Sequence, residues 1–506
     1  MKGKSEQKKP IQTDAHGAMD YGGAVLTSSL DENAALIRRI FAKDGTVVER
    51  RVENRLRPKA RCCVFFIDGM ADNKIVDEYI VKPIVDSAAL GLSDDPAGDL
   101  AREVLVANDV RSESDIGTLV ESMIAGDTLV FANGSSRGLI VSSKGYKTRA
   151  VSEPDSEKAL RGPREGFTES LLINLTLIRR KLHTPDLKME FKTFGTRSNT
   201  RACICYLESL TDPALLAELE RRLSLIDIDG VLDTNYISEI IKDAPHSPFK
   251  TIGSTEKPDV VAGRLLEGRI ALILDGTPMV LTLPYLFIEN FQADDDYYLN
   301  FYFASVGRIL RILGFVLSVS IPGVYVAFTT FHREMIPTDL ALSLMQAHQG
   351  IPFPTFLECF LMLIIFEIIR ETGVRMPSNI GQALSIVGAL VIGQAAVQAK
   401  FISAPMVIII AVTAITGLIN PKVKGATIIF RFLSLFAAAI LGLFGFAFVI
   451  GFLVIHLFSI ESFGVIYMSQ IAAVRPQEMK DNAVRAPWYT MKTRPVFERR
   501  DPVRKN

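Results

Sequence analysis

A mildly polar face on an uncharged, apolar stretch is the first feature of this sequence that could support chemistry. Between Ile380 and Ala399 no residue is charged, yet the stretch contains three glutamines, a serine and three glycines. A helix that faces only lipid has no need of amide side chains, whereas a helix that faces water or other helices does. On a helix, one face would carry Gln382, Ser385, Ile386, Ala389, Gly393 and Ala396. The pattern predicts either the lining of an ion pathway or a tightly packed bundle helix, and periodicity alone does not separate the two.

A second stripe on the same stretch consists of small residues. Gly381, Gly388 and Ala395 recur every seven residues, and Ala399 extends the stripe. Small side chains at this spacing allow another helix to approach closely. We therefore predict that this stripe packs against a neighbouring helix.

Acidic residues inside apolar stretches are the next candidates. A charge at membrane depth is costly, so it should face protein or water. Glu358 is the deeper of the two acids in its stretch, and we predict that it attracts cations. Glu367 is followed three residues later by Arg370 on the same helical face, which predicts an interfacial ion pair instead.

The sequence contains no recognisable set of catalytic residues. There is no P-loop, G-x-S-x-G or H-E-x-x-H motif, and the six histidines are scattered. Cys203 and Cys205 would share one face of a strand, but no second pair completes a zinc site. We predict that the protein is not an enzyme and holds no metal or cofactor. Lysine plus arginine and aspartate plus glutamate both number 56, which indicates no nucleic-acid partner.

The elements that would position these residues fall into a charged first part and an apolar second part, which meet near residue 300. In the first part, two strand patterns, RCCVFFI and RACICYL, begin at Arg61 and Arg201. Each is followed by helical patterns and then by a hairpin with an Asn-Gly or Asp-Gly turn. The offset of about 140 residues predicts two similar α/β subdomains.

The segment between the two subdomains holds another candidate contact. Gly162-Pro163 predicts a turn ahead of a helix, and Arg161, Arg164 and Glu165 crowd the start of that helix. We predict a contact between subunits or subdomains at these three residues. A solvated linker with salt bridges is the alternative.

The second part predicts a membrane domain with several spans. Its apolar stretches are, approximately, 310–330, 353–370, 379–399, 403–420 and 426–467. The last stretch is too long for one crossing, and a break near Gly442 would give six spans in all. The connections at 370–375 and 422–424 and the C-terminal tail are basic, so the positive-inside rule places them in the cytoplasm. The N-terminal region, which shows no signal-peptide pattern, is expected on the same side.

The sequence thus predicts an α/β soluble region of two similar subdomains followed by an all-α polytopic membrane domain. Its predicted parts are a disordered leader (1–32), a first α/β subdomain (33–150), a linker and helix (151–185), a second α/β subdomain (186–290), a membrane domain of about six (four to six) spans (291–472), and a basic cytoplasmic tail (473–506).

Five motifs resemble the GerA family, the A subunits of bacterial spore germinant receptors. They are RGPREGFTESLLINLTLIRRKL (161–182), ILDGTPMVLTLPYLFIENFQADDDYY (273–298), FLECFLMLIIFEIIRETGVRMP (356–377), IGQALSIVGALVIGQAAVQAKFISAP (380–405) and KDNAVRAPWYTMKTRP (480–495). The resemblance extends over roughly residues 35–495, with the motifs in the family's order.

The resemblance implies an integral membrane protein of the spore inner membrane. In this family the A subunit works with a transporter-like B subunit, which senses nutrients, and with a lipoprotein C subunit. A subunits are expected to form a homo-oligomer, a pentameric ligand-gated cation channel whose opening releases ions and starts germination. The implied function is therefore that of such an A subunit.

Three other functions stay open at this stage. One is the SpoVAF-type paralogue of the family, an amplifying channel without its own nutrient-sensing B subunit. Another is a non-conducting scaffold that holds partner subunits. A secondary transporter is the third, although no repeat is visible within the spans.

Overall fold

The computed structural model describes residues 12–13, 19–21, 24–88, 95–107, 109–146, 161–375, 393–472, 481–491 and 494. Contacts divide the chain into two units. The first contains the described residues up to Lys242, then Ile252–Pro284 and the described residues from Met491 onward. The second contains Asp243–Thr251 and the described residues of Tyr285–Thr490.

The first unit contains twelve of the strands that the structure describes. They are β1 (Gln12–Thr13), β2 (Met19–Asp20), β3 (Val47–Glu53), β4 (Arg61–Ile67), β5 (Val110–Glu113), β6 (Thr128–Ala132), β7 (Gly138–Val141), β8 (Leu187–Phe194), β9 (Thr200–Leu207), β10 (Gly253–Thr255), β11 (Ile270–Leu274) and β12 (Val280–Leu283). All neighbouring strands pair antiparallel.

Helices cover these sheets. They are α1 (Leu30–Ile40), α2 (Asn73–Ile75), α3 (Lys82–Asp86), α4 (Pro96–Asp99), α5 (Ile116–Ile124), α6 (Leu171–Arg179), α7 (Pro213–Leu223), α8 (Thr234–Ile241) and α9 (Pro258–Leu265), with π-helical turns at Val76–Val81 and Leu100–Val104.

Two five-stranded sheets in the first unit share one topology. The first has the order β3-β4-β6-β7-β5 and the second the order β8-β9-β11-β12-β10. If the five strands of each sheet are numbered along the chain, both sheets have the spatial order first, second, fourth, fifth, third. The predicted pair of similar subdomains is confirmed, and each has two strands more than the sequence patterns indicated.

A repeated motif builds the same helix start in both subdomains. The pattern T-x-S-L-x-x-N-x-x-L-I-R-R occurs at 27–39 and again at 168–180. The Asn33 side chain accepts a hydrogen bond from the Thr27 N–H (2.9 Å) and donates one to its carbonyl oxygen (2.7 Å). Asn174 makes the same two bonds with Thr168, at 2.8 and 2.6 Å.

Each central strand is buried on both sides, which explains its continuous apolar sequence. In β4, Cys63 and Phe65 pack with α1 and α5, whereas Cys62 and Val64 pack with the helical segments at 73–86 and 96–104. Successive side chains of a strand point to opposite faces, so both layers contact one strand. All five cysteines of the chain are buried and free.

The second unit is a bundle of helices. They are α10 (Phe301–Thr330), α11 (Thr338–His348), α12 (Thr355–Arg375), an unlabelled helical segment at 393–398, α13 (Ala404–Leu418), α14 (Lys424–Ser459) and α15 (Ser469–Ala472). Short 3-10 turns lie at Phe287–Phe291, Asp294–Tyr297, Arg333–Met335, Pro421–Val423 and Trp488–Thr490, and β13 (Glu461–Ser462) pairs with β14 (Val465–Ile466).

Two helices of the described residues are long and apolar enough to cross a membrane: α10, and the continuous stretch Pro421–Ser459. The predicted break in the last stretch is present, because Gly442 has φ 61° and ψ −142° and interrupts the helical backbone. Most of the predicted span at 379–399 lies outside the described residues, and the number of crossings stays a prediction.

Candidate functional site

The predicted pore face is only partly within the described residues. Outside them lie Gln382, Ser385, Ile386 and Ala389 of the pore face and Gly381 and Gly388 of the packing stripe. Gly393 and Ala396 belong to the helical segment at 393–398, where Gly393 is buried. Ala396 packs against a buried cluster that includes Met406 and Leu363. Both assignments stay predictions.

The remaining residues of the packing stripe and the linker are described. Ala395 and Ala399 are exposed in this single chain, as are Arg161 and Arg164. Glu165 pairs with Lys181, with Oε2 and Nζ 3.1 Å apart. The α6 helix packs against the second sheet, so that contact lies within the second subdomain. The predicted subunit or subdomain contact at 161–165 stays a prediction.

A different residue joins the two subdomains. Arg179, in the last turn of α6, donates from Nη2 to Oδ2 of Asp44 at 2.6 Å, and both side chains are fully buried. The Gly45 N–H donates to the Met189 carbonyl oxygen beside this pair. The repeated motif ends in two arginines, Arg179 and Arg180 in its second copy, and this was the signal in the sequence for the contact. The sequence does not indicate the partner, because Asp44 lies in a loop 135 residues away.

The acid predicted to attract cations is buried in the second unit. Glu358 lies in the first turn of α12, and its Oε1 accepts a hydrogen bond from the Ser403 N–H, just before α13. Its Oε2 lies 3.4 Å from Nε2 of His348, the last residue of α11. This ion-pair contact with Glu358 raises the pKa of His348. Cation attraction by Glu358 stays a prediction.

A second buried charge is Arg431 of α14. Its guanidinium donates to the Ser318 carbonyl (2.9 Å) and hydroxyl (2.5 Å) oxygens of α10 and to Oε1 of Glu367 of α12 (3.0 Å). Glu367 also pairs with Arg370, as the sequence predicted. Three apolar helices are thus linked by one charged cluster.

A third cluster was not predicted as a site. Asp296, a buried residue ahead of α10, accepts from Arg308 (2.9 Å) and Arg311 (2.8 Å). Burial alone would raise the pKa of Asp296, but the bonds and charges of these arginines outweigh it, so the pKa is lowered. Arg308 also reaches Oδ1 of Asp481 at 2.8 Å, and Asp481 accepts from the Tyr297 hydroxyl at 2.8 Å. The cluster joins residues ahead of α10 to Asp481, which lies 184 residues beyond Tyr297 in the chain, so no local pattern indicates it.

These clusters fix helices and contain no metal centre. No group of three or more His, Cys, Asp or Glu side chains within the described ranges could hold a metal ion. The described side chains therefore provide charged groups and hydrogen bonds among apolar helices. Such groups are typical of an ion pathway or of ion pairs that hold helices together.

Comparison with known proteins gives one consistent result. Residues 35–497 match the family model described as Bacillus/Clostridium GerA spore germination protein. The chain is 40% identical over 483 residues to spore germination protein KA of Bacillus subtilis, covering 95% of this chain and 89% of the relative. It is also 40% identical over 436 residues to the uncharacterized membrane protein YfkQ of Bacillus subtilis, covering 85% of this chain and 84% of the relative.

A solved structure is similar to part of the chain. It is the N-terminal domain of the A subunit of the Bacillus megaterium spore germinant receptor GerK3, at 31% identity and a TM-score of 0.43. The similarity covers 52% of this chain and 98% of the solved domain.

Proposed function

The chain belongs to the GerA family of Bacillus/Clostridium spore germination proteins, and from this premise we propose that it is the A subunit of a nutrient germinant receptor. In this proposal it forms a ligand-gated cation channel whose opening triggers ion release and germination. The channel lies in the spore inner membrane, with the soluble unit and the C-terminal tail in the cytoplasm. The protein acts by conduction and not as an enzyme.

One observation carries the proposal of a pathway for ions. The Arg431 side chain, at the eighth of the 36 residues of the apolar helix α14, is 1% exposed and contacts Glu367 and Ser318 on two other helices. A charge in such a place is costly, and ionisable residues inside membrane helices typically accompany ion pathways. The uncharged stretch at 380–399, with its amide side chains, supplies a face that would suit water and ions.

Several copies are needed to enclose a pore along one helix. We propose a homo-oligomer, a pentamer by the resemblance, in which the face of Gln382, Ser385 and Ala389 surrounds the axis. The proposed partners are a transporter-like B subunit, which senses the nutrient, and a lipoprotein C subunit. Movement of the soluble ring would open the pore by shifting packed helices.

Conductance of the purified protein in planar bilayers tests the proposal. Ser385→Trp and Ala389→Trp should abolish the cation current, because a bulky ring would fill a narrow pore. The matched control is Ile440→Trp in α14, whose side chain is 71% exposed on the bundle surface and should tolerate the ring. Normal current in both pore variants would show that the pore lies elsewhere, and absence of current in the wild type would favour the scaffold.

The amplifying SpoVAF-type channel is a second candidate, since both types belong to the family that the chain matches. That channel would conduct without its own nutrient sensor. Copurification from spore membranes separates the two: a stoichiometric transporter-like partner supports the receptor subunit, and a conducting oligomer without one supports the amplifying channel.

A further inference from the structure

The C-terminal segment 481–490 folds back onto the start of α10. The Arg485 N–H donates a hydrogen bond to Oγ of Ser305 at 3.0 Å, although 180 residues separate the two in the chain. The Asp481 carboxylate accepts from Nη1 of Arg308 at 2.8 Å. These contacts hold the segment beside the first two turns of an apolar helix.

This segment carries the single tryptophan of the chain. The indole of Trp488 lies against the ring of Tyr297, with the centroids 5.9 Å apart, and the guanidinium carbon of Arg485 is 5.3 Å from the centroid of the tryptophan ring. Nε1 of Trp488 donates to the Tyr297 carbonyl oxygen at 3.4 Å. Trp488 is nevertheless 49% exposed, and the next residue, Tyr489, is 73% exposed. The protein contacts thus orient the indole but leave a large part of it uncovered.

Other exposed aromatic side chains lie at the same end of α10. Tyr302 and Phe303, in the first turn of the helix, are 70% and 60% exposed. Further along the helix, as far as residue 316, the exposed side chains are all aliphatic; they are Val306, Ile309, Leu310, Leu313 and Val316. Aromatic side chains followed by aliphatic ones are typical of a helix that passes from the headgroups into the hydrocarbon of a bilayer.

Trp488 and Tyr489 each carry one polar group on a large apolar ring. Side chains of this kind are enriched where a membrane meets water, because the ring leaves water while the N–H or O–H group stays hydrated. Deep in the hydrocarbon the polar group would lose its hydrogen bonds, and in bulk water the ring would stay hydrated. The headgroup level satisfies both parts of the side chain.

The charge of the sequence that follows favours lipid over a second protein surface. Residues 491–506 contain six lysines and arginines but two acidic residues. Basic residues next to a membrane surface are attracted by anionic headgroups. A second copy of this chain, in which basic and acidic residues both number 56, offers no such attraction. Anionic phospholipid headgroups therefore match both the aromatic rings and the basic residues.

We propose that the segment 481–490 is a membrane-interface anchor, in which Trp488 and Tyr489 enter the headgroup region of an anionic leaflet beside the start of α10. The anchor ties the end of the chain to the first apolar helix and to the membrane at one point. This inference rests on the membrane placement in the proposed function, but it does not require that the protein conducts ions.

The test uses the native fluorescence of the full-length wild-type protein, which reports on Trp488 alone. The protein is reconstituted into vesicles of phosphatidylcholine and phosphatidylglycerol, with phospholipids that are brominated either close to the headgroup or near the bilayer centre. Bromine quenches tryptophan on contact. We expect the shallow bromines to quench about twice as large a fraction as the deep ones, because half of a hydrocarbon core of about 30 Å separates the two levels.

Two control variants move the tryptophan in a Trp488→Phe background. Leu313→Trp is the control for depth, because Leu313 is 48% exposed and lies roughly 18 Å beyond Phe301 along α10, at about 1.5 Å per residue. The deep bromines should quench it more than the shallow ones. Tyr79→Trp is the control for water, because Tyr79 lies in the first unit and is 45% exposed. Acrylamide in the buffer should quench it, whereas the brominated lipids should not.

The outcomes separate the anchor from other surroundings of the indole. Quenching of Trp488 by acrylamide but by neither lipid would overturn the inference and place the segment in water. Protection from acrylamide and from both lipids would also overturn it, and would indicate cover by protein such as a second copy.

The same samples distinguish failure of the anchor from failure of the proposed function. Protein that does not float with the vesicles would refute the membrane placement and the anchor with it. Stronger quenching of Trp488 by the shallow bromines, without any cation current, would support the anchor and refute the channel. A normal current with an unquenched Trp488 would refute only the anchor.

Discussion

The buried ion pair that joins the two subdomains gives the sharpest prediction for stability. Nη2 of Arg179 and Oδ2 of Asp44 are 2.6 Å apart, and their side chains are 1% and 0% exposed. Replacing Arg179 by Met keeps the length of the side chain but leaves the carboxylate buried and unpaired. Such a change typically costs about 3–5 kcal/mol. We expect a loss of this size at the contact between the subdomains.

The duplication supplies a matched control. Arg38 occupies the same place in the first copy of the repeated motif, but it pairs with Glu49 at the surface, where the side chains are 48% and 22% exposed. Exposed pairs contribute about 0.2–1 kcal/mol. Arg38→Met should therefore cost several times less than Arg179→Met, although both changes remove the same side chain from the same motif position.

Hydrogen–deuterium exchange measures the difference in the full-length protein in detergent. The Gly45 N–H, which donates to the Met189 carbonyl oxygen beside the pair, reports opening of this contact. A loss of about 3 kcal/mol or more should speed exchange there by over a hundredfold, because each 1.4 kcal/mol is about a factor of ten. Adding Asp44→Asn to Arg179→Met should recover most of the protection. Equal exchange in Arg179→Met and Arg38→Met would refute the reasoning.

Four further substitutions, one of them a control, test the helical unit, each by thermal unfolding in detergent unless stated. Gly442→Ala should lower the free energy of unfolding by about 1–3 kcal/mol, because φ at this residue is 61° and the new Cβ would lie 2.7 Å from Cε1 of His332. The control is Gly451→Ala, where the new Cβ would meet open space, and it should raise the free energy of unfolding by up to about 1 kcal/mol. Glu367→Gln should lower Tm because it leaves Arg431 without its carboxylate, and an unchanged Tm would show that Ser318 alone satisfies the guanidinium. Asp481→Asn should speed proteolysis of the segment at 481–491, since it weakens the bond to Arg308, and wild-type cleavage rates would contradict that role.

Much of the soluble fold could be predicted from the sequence because its central strands are buried on both faces. The runs RCCVFFI and RACICYL have no exposed side that would interrupt the apolar pattern. The edge strand β3 was missed because it reads VVERRVE: Val52 is its one buried residue, and its charges conceal the strand. The edge strand β8, LKMEFKTF, was missed although four of its eight residues are buried, because two lysines and a glutamate interrupt its apolar positions.

The candidate site was predicted less completely, because its contacts join residues far apart in the chain. Glu367 and Arg370 are three residues apart on one helix, and that pair was predicted correctly. The additional bond from Arg431 arises from helix packing, which no local pattern reveals. The sequence shows six scattered histidines and does not indicate that His348, at the end of α11, contacts Glu358.

Access of water to the uncharged helix tests the central claim most directly. Ser385→Cys would be treated with a positively charged methanethiosulfonate reagent during recording, in a background whose five native cysteines are all buried. The account predicts rapid modification and a block of the cation current, with no reaction at Ile440→Cys on the bundle surface. An unreactive cysteine at 385, or modification without any change in current, would contradict a pore along this face.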